Sequence, residues 1–411
     1  MATGLSLELL ERLLSSKLTE SGDSESTNVE KYLETLDLEG VANYMKLCIG
    51  KQGLKNYRKT AKVDKTPEMS SSGEVSDGDQ LSSEITEGPT PPSISFPGEK
   101  GATSLTPESF IVVMTGAGLS TAAGIPDFRS EDSGLYSRLK KDSSFDLPSP
   151  ESIFHIDYFK QNPVPFVKLA QELFPGRFNP TKSHFFLRLL QDKGLLIRLY
   201  TQNIDGLERR AGILDDKLVE AHGSFHGARC IDCTADADMQ VVKESILKGS
   251  VPICSQCNKG FVKPNIVFFG EALPPRFQDK SAEDLPICKL LIILGTSLKV
   301  HPFAGLVERV SDSCPRLLLN KEPVTGGDML KSMLGLPTGL DFSEERGYRD
   351  VFVGDPCDIS CEKLADLLGW RDELEVLYKK ELDLLLEEQK SDPLLQLVEH
   401  TPSTPQGQDE I

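Results

Sequence analysis

The sequence predicts an α/β protein built on a Rossmann-like parallel sheet, with a smaller second domain. Three observations predict it. Four near-continuous apolar runs, at residues 110–114 (FIVVM), 195–200 (LLIRLY), 290–294 (LLIIL) and 316–319 (RLLL), read as strands buried on both faces. Helical patterns at 165–173, 184–191 and 303–310 lie between them, as crossovers in a parallel sheet require. Two Cys-x-x-Cys knuckles, Cys230/Cys233 and Cys254/Cys257, stand between the second and third runs. Four thiolates at that spacing satisfy tetrahedral zinc better than they fit buried free cysteines or a redox pair, and they leave no position for a metal-bound water. The small domain is therefore expected to join a helical module to a structural zinc ribbon.

The flanking sequence is different in kind. Residues 6–16 and 28–47 carry leucines at helical spacing. Within the second, residues 33–38 have the Leu-x-x-Leu-x-Leu spacing of a nuclear-export signal, a pattern shared with core helices. Residues 61–100 are rich in Ser, Glu, Asp, Gly and Pro and hold 3 basic and 8 acidic residues, a composition that predicts disorder because it cannot bury enough apolar surface. Beyond Trp370 a charged amphipathic helix is expected, then a disordered acidic tail from Ser391 that carries Thr401-Pro402 and Thr404-Pro405. The formal charge of −18 disfavours a nucleic-acid partner held by its phosphates. The apolar runs fall far short of the roughly 20 residues of a membrane span. The N-terminus has no secretory pattern, so an intracellular setting is expected, in which nine cysteines serve as thiols or metal ligands.

The chemistry-bearing motifs sit at strand ends. The first run leads into Gly116-Ala117-Gly118-Leu119-Ser120-Thr121, then Asp127-Phe128-Arg129. Glycines at a strand-to-helix turn let the backbone approach a phosphate, although a tight turn without a ligand reads the same way. Thr121 replaces the third glycine of the usual dinucleotide fingerprint, and no acidic residue follows about 20 residues on, which disfavours a hydride-transferring dehydrogenase. Gln202, Asn203, Ile204 and Asp205 follow the second run, and Gly295, Thr296 and Ser297 the third. Asn320, Lys321 and Glu322 follow the fourth, where Glu322 can accept from a ribose or sit on a solvated turn. His222, in Glu220-Ala221-His222-Gly223, suits a general base, the alternative being a hydrogen-bonded structural histidine.

Taken together, GAGLSTAAGIPDFR, TQNID, EAHG, the paired knuckles, KPNIVFFGE, GTS and NKE resemble the sirtuin family over about residues 106–370. The stretch from Gly134 is most similar to the cytosolic type that deacetylates tubulin and histones. The resemblance implies an NAD-dependent protein-lysine deacylase that yields nicotinamide, free lysine and 2′-O-acyl-ADP-ribose. The alternatives are mono-ADP-ribosyl transfer and a non-catalytic NAD or partner-binding module. It implies phosphate contacts at Ala117 to Thr121, Thr296 and Ser297, and a cofactor loop at Asp127, Phe128 and Arg129. Gln202, Asn203 and Asp205 would surround the nicotinamide and its ribose, Asn320 to Glu322 the adenosine ribose, and Cys357 the adenine. His222 and Asn203 are the implied catalytic residues. Phe128 with Val267, Phe268 and Phe269 would wall an acyl-lysine tunnel, and Gly270, Glu271 and Val300 would border an extended peptide. The expected division is 1–48 as an N-terminal helical region and 49–104 as a disordered insert. The NAD-binding domain is expected at 105–124, 181–221 and 274–378, the helical module at 125–180, the zinc ribbon at 222–273, and a C-terminal helix and tail at 379–411. One departure stands out: relatives pass from a helix like EGVANYM almost directly into the first strand, whereas residues 49–108 intervene here. Cytoplasmic localisation, with shuttling to the nucleus as a variant of it, is part of the same expectation.

Overall fold

The computed structural model describes residues 33–63 and 109–396, apart from 328, 335, 337 and 344–346. The leucine-rich segment 6–16, residues 64–100 and the two Thr-Pro pairs lie outside the described residues.

Eight strands are present among them: β1 (Ile111–Thr115), β2 (Leu196–Thr201), β3 (Leu218–Glu220), β4 (Gly223–Cys230), β5 (Val262–Ile266), β6 (Leu290–Leu294), β7 (Arg316–Leu319) and β8 (Asp350–Val353). Six form one parallel sheet in the order β3-β2-β1-β6-β7-β8, and β4 and β5 pair antiparallel by themselves. From β1 the chain steps outward to β2 and β3; from β6 it steps the other way, to β7 and β8. The order therefore reverses between β1 and β6, and open α/β sheets hold ligands outside the carboxyl ends of the strands at such a point. One apolar layer covers each face of the sheet, with Phe185, Phe186 and Leu364 in one and Phe277, Phe303 and Leu306 in the other. A third core, around Phe154, Phe159, Phe166 and Phe268, joins the helical module to the β4–β5 ribbon.

The first strand begins one residue later than its apolar run, because the Phe110 N–H and C=O pair with Leu195 and Lys289 at the sheet margin and the ladder continues to Thr115. Strands β3 and β8 carry no strand signal in the sequence. The first has three residues, and the second opens on aspartate, which strands disfavour. Register explains it: Asp350 sits opposite Arg316 of β7. Their side chains form a two-pronged ion pair at 2.6 Å for both Nε–Oδ1 and Nη2–Oδ2, and the guanidinium also donates to the Val307 carbonyl at 2.8 Å. Both residues are buried. Asp350→Ala strands the arginine charge in the core, and a loss of about 3–5 kcal/mol is expected. Urea unfolding checks this; an unchanged midpoint contradicts it.

Two boundaries differ from the sequence reading. Among the described residues the N-terminal helix spans Leu38–Val63, starting later and ending later than the leucine spacing at 28–47 suggests. Asp37 sets its start by accepting from the Gly40 N–H at 2.8 Å, and the helix runs 15 residues beyond the boundary drawn at 48. Leu33, the first leucine of the export-type spacing, is 2% exposed and packs in the core, so its side chain is withheld from a receptor. At the other end the helix Arg371–Ser391 is followed by a short helix, Pro393–Gln396, where a disordered tail was expected. Leu395 is buried in the core of the small domain, and Asp392 pairs with Lys243 at 2.6 Å. One apolar side chain and one ion pair thus order a segment whose composition is mostly polar.

Candidate active site and zinc centre

Two glycine turns interlock at the β1/β6 reversal. The Gly116 N–H donates to the Leu294 carbonyl at 3.1 Å and the Gly118 N–H to the Gly295 carbonyl at 2.7 Å. A Cβ on Gly118 would lie 2.8 Å from the Gly295 Cα, and one on Gly295, whose φ is +58°, would lie 2.3 Å from the Leu119 nitrogen. Only glycine lets these backbones meet. The cradle that results opens into a cavity of about 890 Å³.

Every motif but the paired knuckles contributes to its wall: Ala117, Gly118 and Thr121; Asp127, Phe128 and Arg129; Gln202, Asn203 and Ile204; His222; Val267 to Glu271; Gly295, Thr296, Ser297 and Val300; Asn320, Lys321 and Glu322; and Cys357. Gly116, Ser120 and Asp205 stand behind the wall. Ser120 donates to Asp205 at 2.7 Å, and Asp205 accepts the Leu207 N–H at 2.9 Å. Asn203 reaches back to the same place, donating to the Gly116 carbonyl at 3.1 Å and to Ser120 Oγ at 3.3 Å. The sequence reading did not include Tyr136, Phe154, Leu273 and Val324, which also line the cavity. They are apolar residues of the module and sheet cores, and nothing in their local pattern separates a cavity wall from a core.

His222 lies where the sheet hands the chain to the ribbon. Ala221 pairs with Thr201, and the Val267 N–H donates to the His222 carbonyl at 2.8 Å. Gly223, with φ +70°, is required there because a Cβ would meet the Asn265 carbonyl at 1.9 Å. His222 Nδ1 lies 3.0 Å from the Gln202 carbonyl. A carbonyl can only accept, so Nδ1 carries the hydrogen and Nε2 keeps its lone pair. Burial depresses the imidazole below its ordinary value, and the nearby Arg129 charge adds to this, against the opposing hydrogen bond to Gln202. Gln202 is held in turn by Thr296, which donates to its Oε1 at 2.7 Å.

The Asp127 loop is fixed from within. Its carboxylate accepts the Arg129 and Ser130 N–H groups at 2.8 and 2.7 Å. Burial works against that charge, but the Ser130 and Arg129 hydrogen bonds outweigh it and hold the carboxyl below its usual value. Phe128 lies edge-on to Phe154 with centroids 6.0 Å apart. Phe268 is buried among Phe154, Phe159 and Phe166, whereas Phe269 is 42% exposed at the mouth.

In the ribbon, the sulfur atoms of Cys230, Cys233, Cys254 and Cys257 lie within 4.8 Å of one another. The pairs Cys230–Cys257 and Cys233–Cys254 are 3.6 and 3.7 Å apart. Tetrahedral thiolates about 2.3 Å from zinc would be spaced nearly so. Backbone N–H groups of Asp232, Gln256 and Gly260 point at these sulfurs, so the cluster could bind one structural zinc ion. Gly260 is tight: a Cβ would lie 2.4 Å from the Cys230 sulfur. Gly260→Ala is expected to weaken zinc retention about 10–100-fold; competition with a chelator measures it, and equal retention contradicts the argument. The remaining cysteines are core residues: Cys288, Cys314 and Cys361 are buried and Cys48 half-buried.

The family model for the Sir2 family matches residues 116–302. The chain is 50% identical over 277 residues to the NAD-dependent protein deacetylase sirtuin-2 of Danio rerio, covering 67% of this chain and 72% of that one. The chain belongs to the Sir2 family. This Sir2 chain is also 46% identical over 278 residues to the NAD-dependent protein deacetylase hst2 of Schizosaccharomyces pombe, covering 68% and 77% of the two. A third relative, the NAD-dependent deacetylase sir2A of Dictyostelium discoideum, is 50% identical over 271 residues, 66% of this Sir2 chain and 51% of its own length. Among the described residues no helix is long and apolar enough to cross a membrane.

Proposed function

We propose that the chain is an NAD-dependent protein-lysine deacetylase that moves the acyl group to ADP-ribose, consuming one water and releasing nicotinamide, the deacylated lysine and 2′-O-acyl-ADP-ribose. The observation that carries this reading is His222: an imidazole whose Nδ1 lies 3.0 Å from the fixed Gln202 carbonyl, which leaves Nε2 as the acceptor nitrogen of the neutral ring, on the wall of a cavity lined also by the glycine turns and by aromatic side chains.

NAD supplies a ribose carbon made electrophilic by departure of nicotinamide. The turns at Ala117–Thr121 and at Thr296 and Ser297 would hold its phosphates through backbone N–H groups, aided by Arg129. Gln202, Asn203 and Ile204 would border the nicotinamide and its ribose. Asn320, whose side chain donates to the Glu322 carbonyl at 2.8 Å, would meet the adenosine ribose with Lys321 and Glu322, and Cys357 the adenine. His222 Nε2 would take the proton of a ribose hydroxyl so that the acyl group can migrate. Acylation makes the substrate lysine neutral, which suits an aromatic wall. On the peptide edge, Phe269 is already bonded to Phe154 and Ile156, and Phe268 to Glu271. Strand pairing there falls to the Val267 carbonyl and Gly270, opposite Val300.

Protein substrates of histone or tubulin type, a cytoplasmic setting and the module division given above are part of this proposal, with the N-terminal helical region extended to 63. Purified protein with an acetyl-lysine peptide and NAD is expected to release nicotinamide in step with deacetylated peptide. No release with acetyl, succinyl or long-chain acyl peptides overturns the reading. Transfer of adenine-labelled NAD onto protein would instead indicate ADP-ribosylation.

A further inference from the structure

Glu208 belongs to the helix Leu207–Arg210 and is 1% exposed. Its Oε1 accepts two hydroxyls at once, from Thr115 at 3.1 Å and from Thr201 at 2.6 Å. These threonines are the last residues of β1 and β2, the strands that deliver the Gly116 turn and the Gln202–Asn203 segment. The Thr201 hydroxyl oxygen also accepts the Asn203 N–H at 3.0 Å, and Asn203 in turn holds the Gly116 carbonyl and Ser120. A continuous hydrogen-bonded chain thus runs from one buried carboxyl to the wall of the cavity.

We propose that Glu208 is a positioning residue: its buried carboxyl ties the ends of β1 and β2 together and, through the Thr201 hydroxyl, sets Asn203 and the Gly116 turn. This rests on the reading of the cavity as the NAD site.

The tie itself needs only an acceptor oxygen, but the surroundings of this carboxyl favour its neutral form. The groups facing it are the two threonine hydroxyls and, from the loop before its own helix, Asp205, itself near Glu220. None is a cation. The neighbouring arginines are directed elsewhere, Arg209 to Glu220 at 2.9 Å and Arg210 to Asn179 at 3.3 Å. Burial first, and Asp205 second, push the Glu208 carboxyl up to about 8. Asp205 is raised too, mainly by burial, but it accepts a backbone N–H and a serine hydroxyl on separate oxygens, which suits it to be the charged member of the pair. Near neutral pH the proton therefore resides on Glu208. Above about 8 its loss places a second negative charge beside Asp205 under the turn.

The sign of the linkage follows. An unfolded chain ionises this carboxyl near 4.5, whereas the folded chain keeps the proton up to about 8. Stability therefore falls with rising pH between those values, by one bound proton, and the dependence ends above about 8. The experiment compares wild type, Glu208→Gln, Glu208→Leu and Thr201→Val in two measurements: unfolding across pH 5–9, and nicotinamide release across the same range. Wild type is expected to bind one more proton on folding near pH 6.5 than Glu208→Gln does, and to lose turnover through about pH 8. The glutamine variant, which keeps the acceptor and cannot ionise, retains its turnover there. Glu208→Leu and Thr201→Val are expected to lose about 100-fold in kcat with little change in KM for the acyl-peptide, as misplacement of a reacting group does. Should the leucine variant fail to fold, Thr201→Val, which leaves the carboxyl in place, still tests the relay. Equal proton uptake in wild type and Glu208→Gln, or a glutamine variant as slow as Thr201→Val, overturns the proposal. No nicotinamide release from wild type at any pH overturns the deacylase reading alone, because proton uptake is measured without substrate.

Discussion

His222→Ala is expected to lower nicotinamide-coupled deacylation by about 10²–10⁴-fold, the usual contribution of a positioned general base, while NAD still raises the melting temperature. The separation follows from geometry. The proposed phosphate cradle is built by Gly116, Gly118 and Gly295, whose hydrogen bonds run between β1 and β6 and do not involve the imidazole. The imidazole is held by one contact, the Gln202 carbonyl, and its ring stands 6.4 Å from Phe303. Removing it costs one hydrogen bond and leaves the sheet intact. The pH dependence has a definite sign. The base works when neutral, and burial with Arg129 nearby lowers its value below 6.5. Activity should therefore persist into mildly acid buffer and fall only as the pH drops through that lowered value. A variant that keeps full turnover, or an acid limb above pH 6.5 in the wild type, contradicts the assignment.

The second large effect concerns the ribbon. Cys254→Ser, or stripping the metal with a chelator, is expected to unfold the β4–β5 ribbon and leave the six-stranded sheet folded. A structural zinc site contributes about 10–16 kcal/mol of coupled binding and folding free energy, more than a short two-stranded ribbon can replace. The consequence reaches the cavity. Cys230, Cys254 and Val262 share one apolar core with Phe154, Phe166 and Phe268, and His222 is tied to Val267 at the end of β5. Loss of the metal should therefore remove the aromatic wall of the cavity and free His222, although no cysteine of the cluster lines the cavity. Hydrogen exchange is the direct readout: protection should vanish in β4 and β5 and persist in β1, β2 and β6. Protected ribbon amides in zinc-free protein would refute this.

Much of this architecture is legible in the sequence. Buried parallel strands need apolar side chains on both faces, so FIVVM, LLIRLY, LLIIL and RLLL announced themselves, and zinc ligation demands residue types and spacing that two knuckles display openly. Short or polar strands were not legible. Asp350–Val353 is a strand because Arg316, 34 residues earlier, supplies the partner for its aspartate. A pairing across that distance leaves no local periodicity. The C-terminal segment shows the same effect, since Leu395 packs into the small-domain core and Asp392 pairs with Lys243, both far away in sequence.

The site divides along the same line. Residue chemistry pointed to the glycine turns and the four cysteines, because a close backbone approach and a metal each require particular side chains, whereas it left His222 and Asn203 open to structural roles and only the family resemblance implied their part in catalysis. Which of those residues face the cavity was decided by the fold. Ser120 and Asp205 share a motif with wall residues yet bond to each other behind the wall, and Phe154, buried in the helical module, turns out to line it. Glu208 is the clearest case. In sequence it is one acidic residue among 63. Only the parallel alignment of β1 with β2 brings Thr115 and Thr201 onto its carboxyl, and burial, with Asp205 beside it, pushes that carboxyl above its ordinary value, because desolvation and like charge act through space and not along the chain.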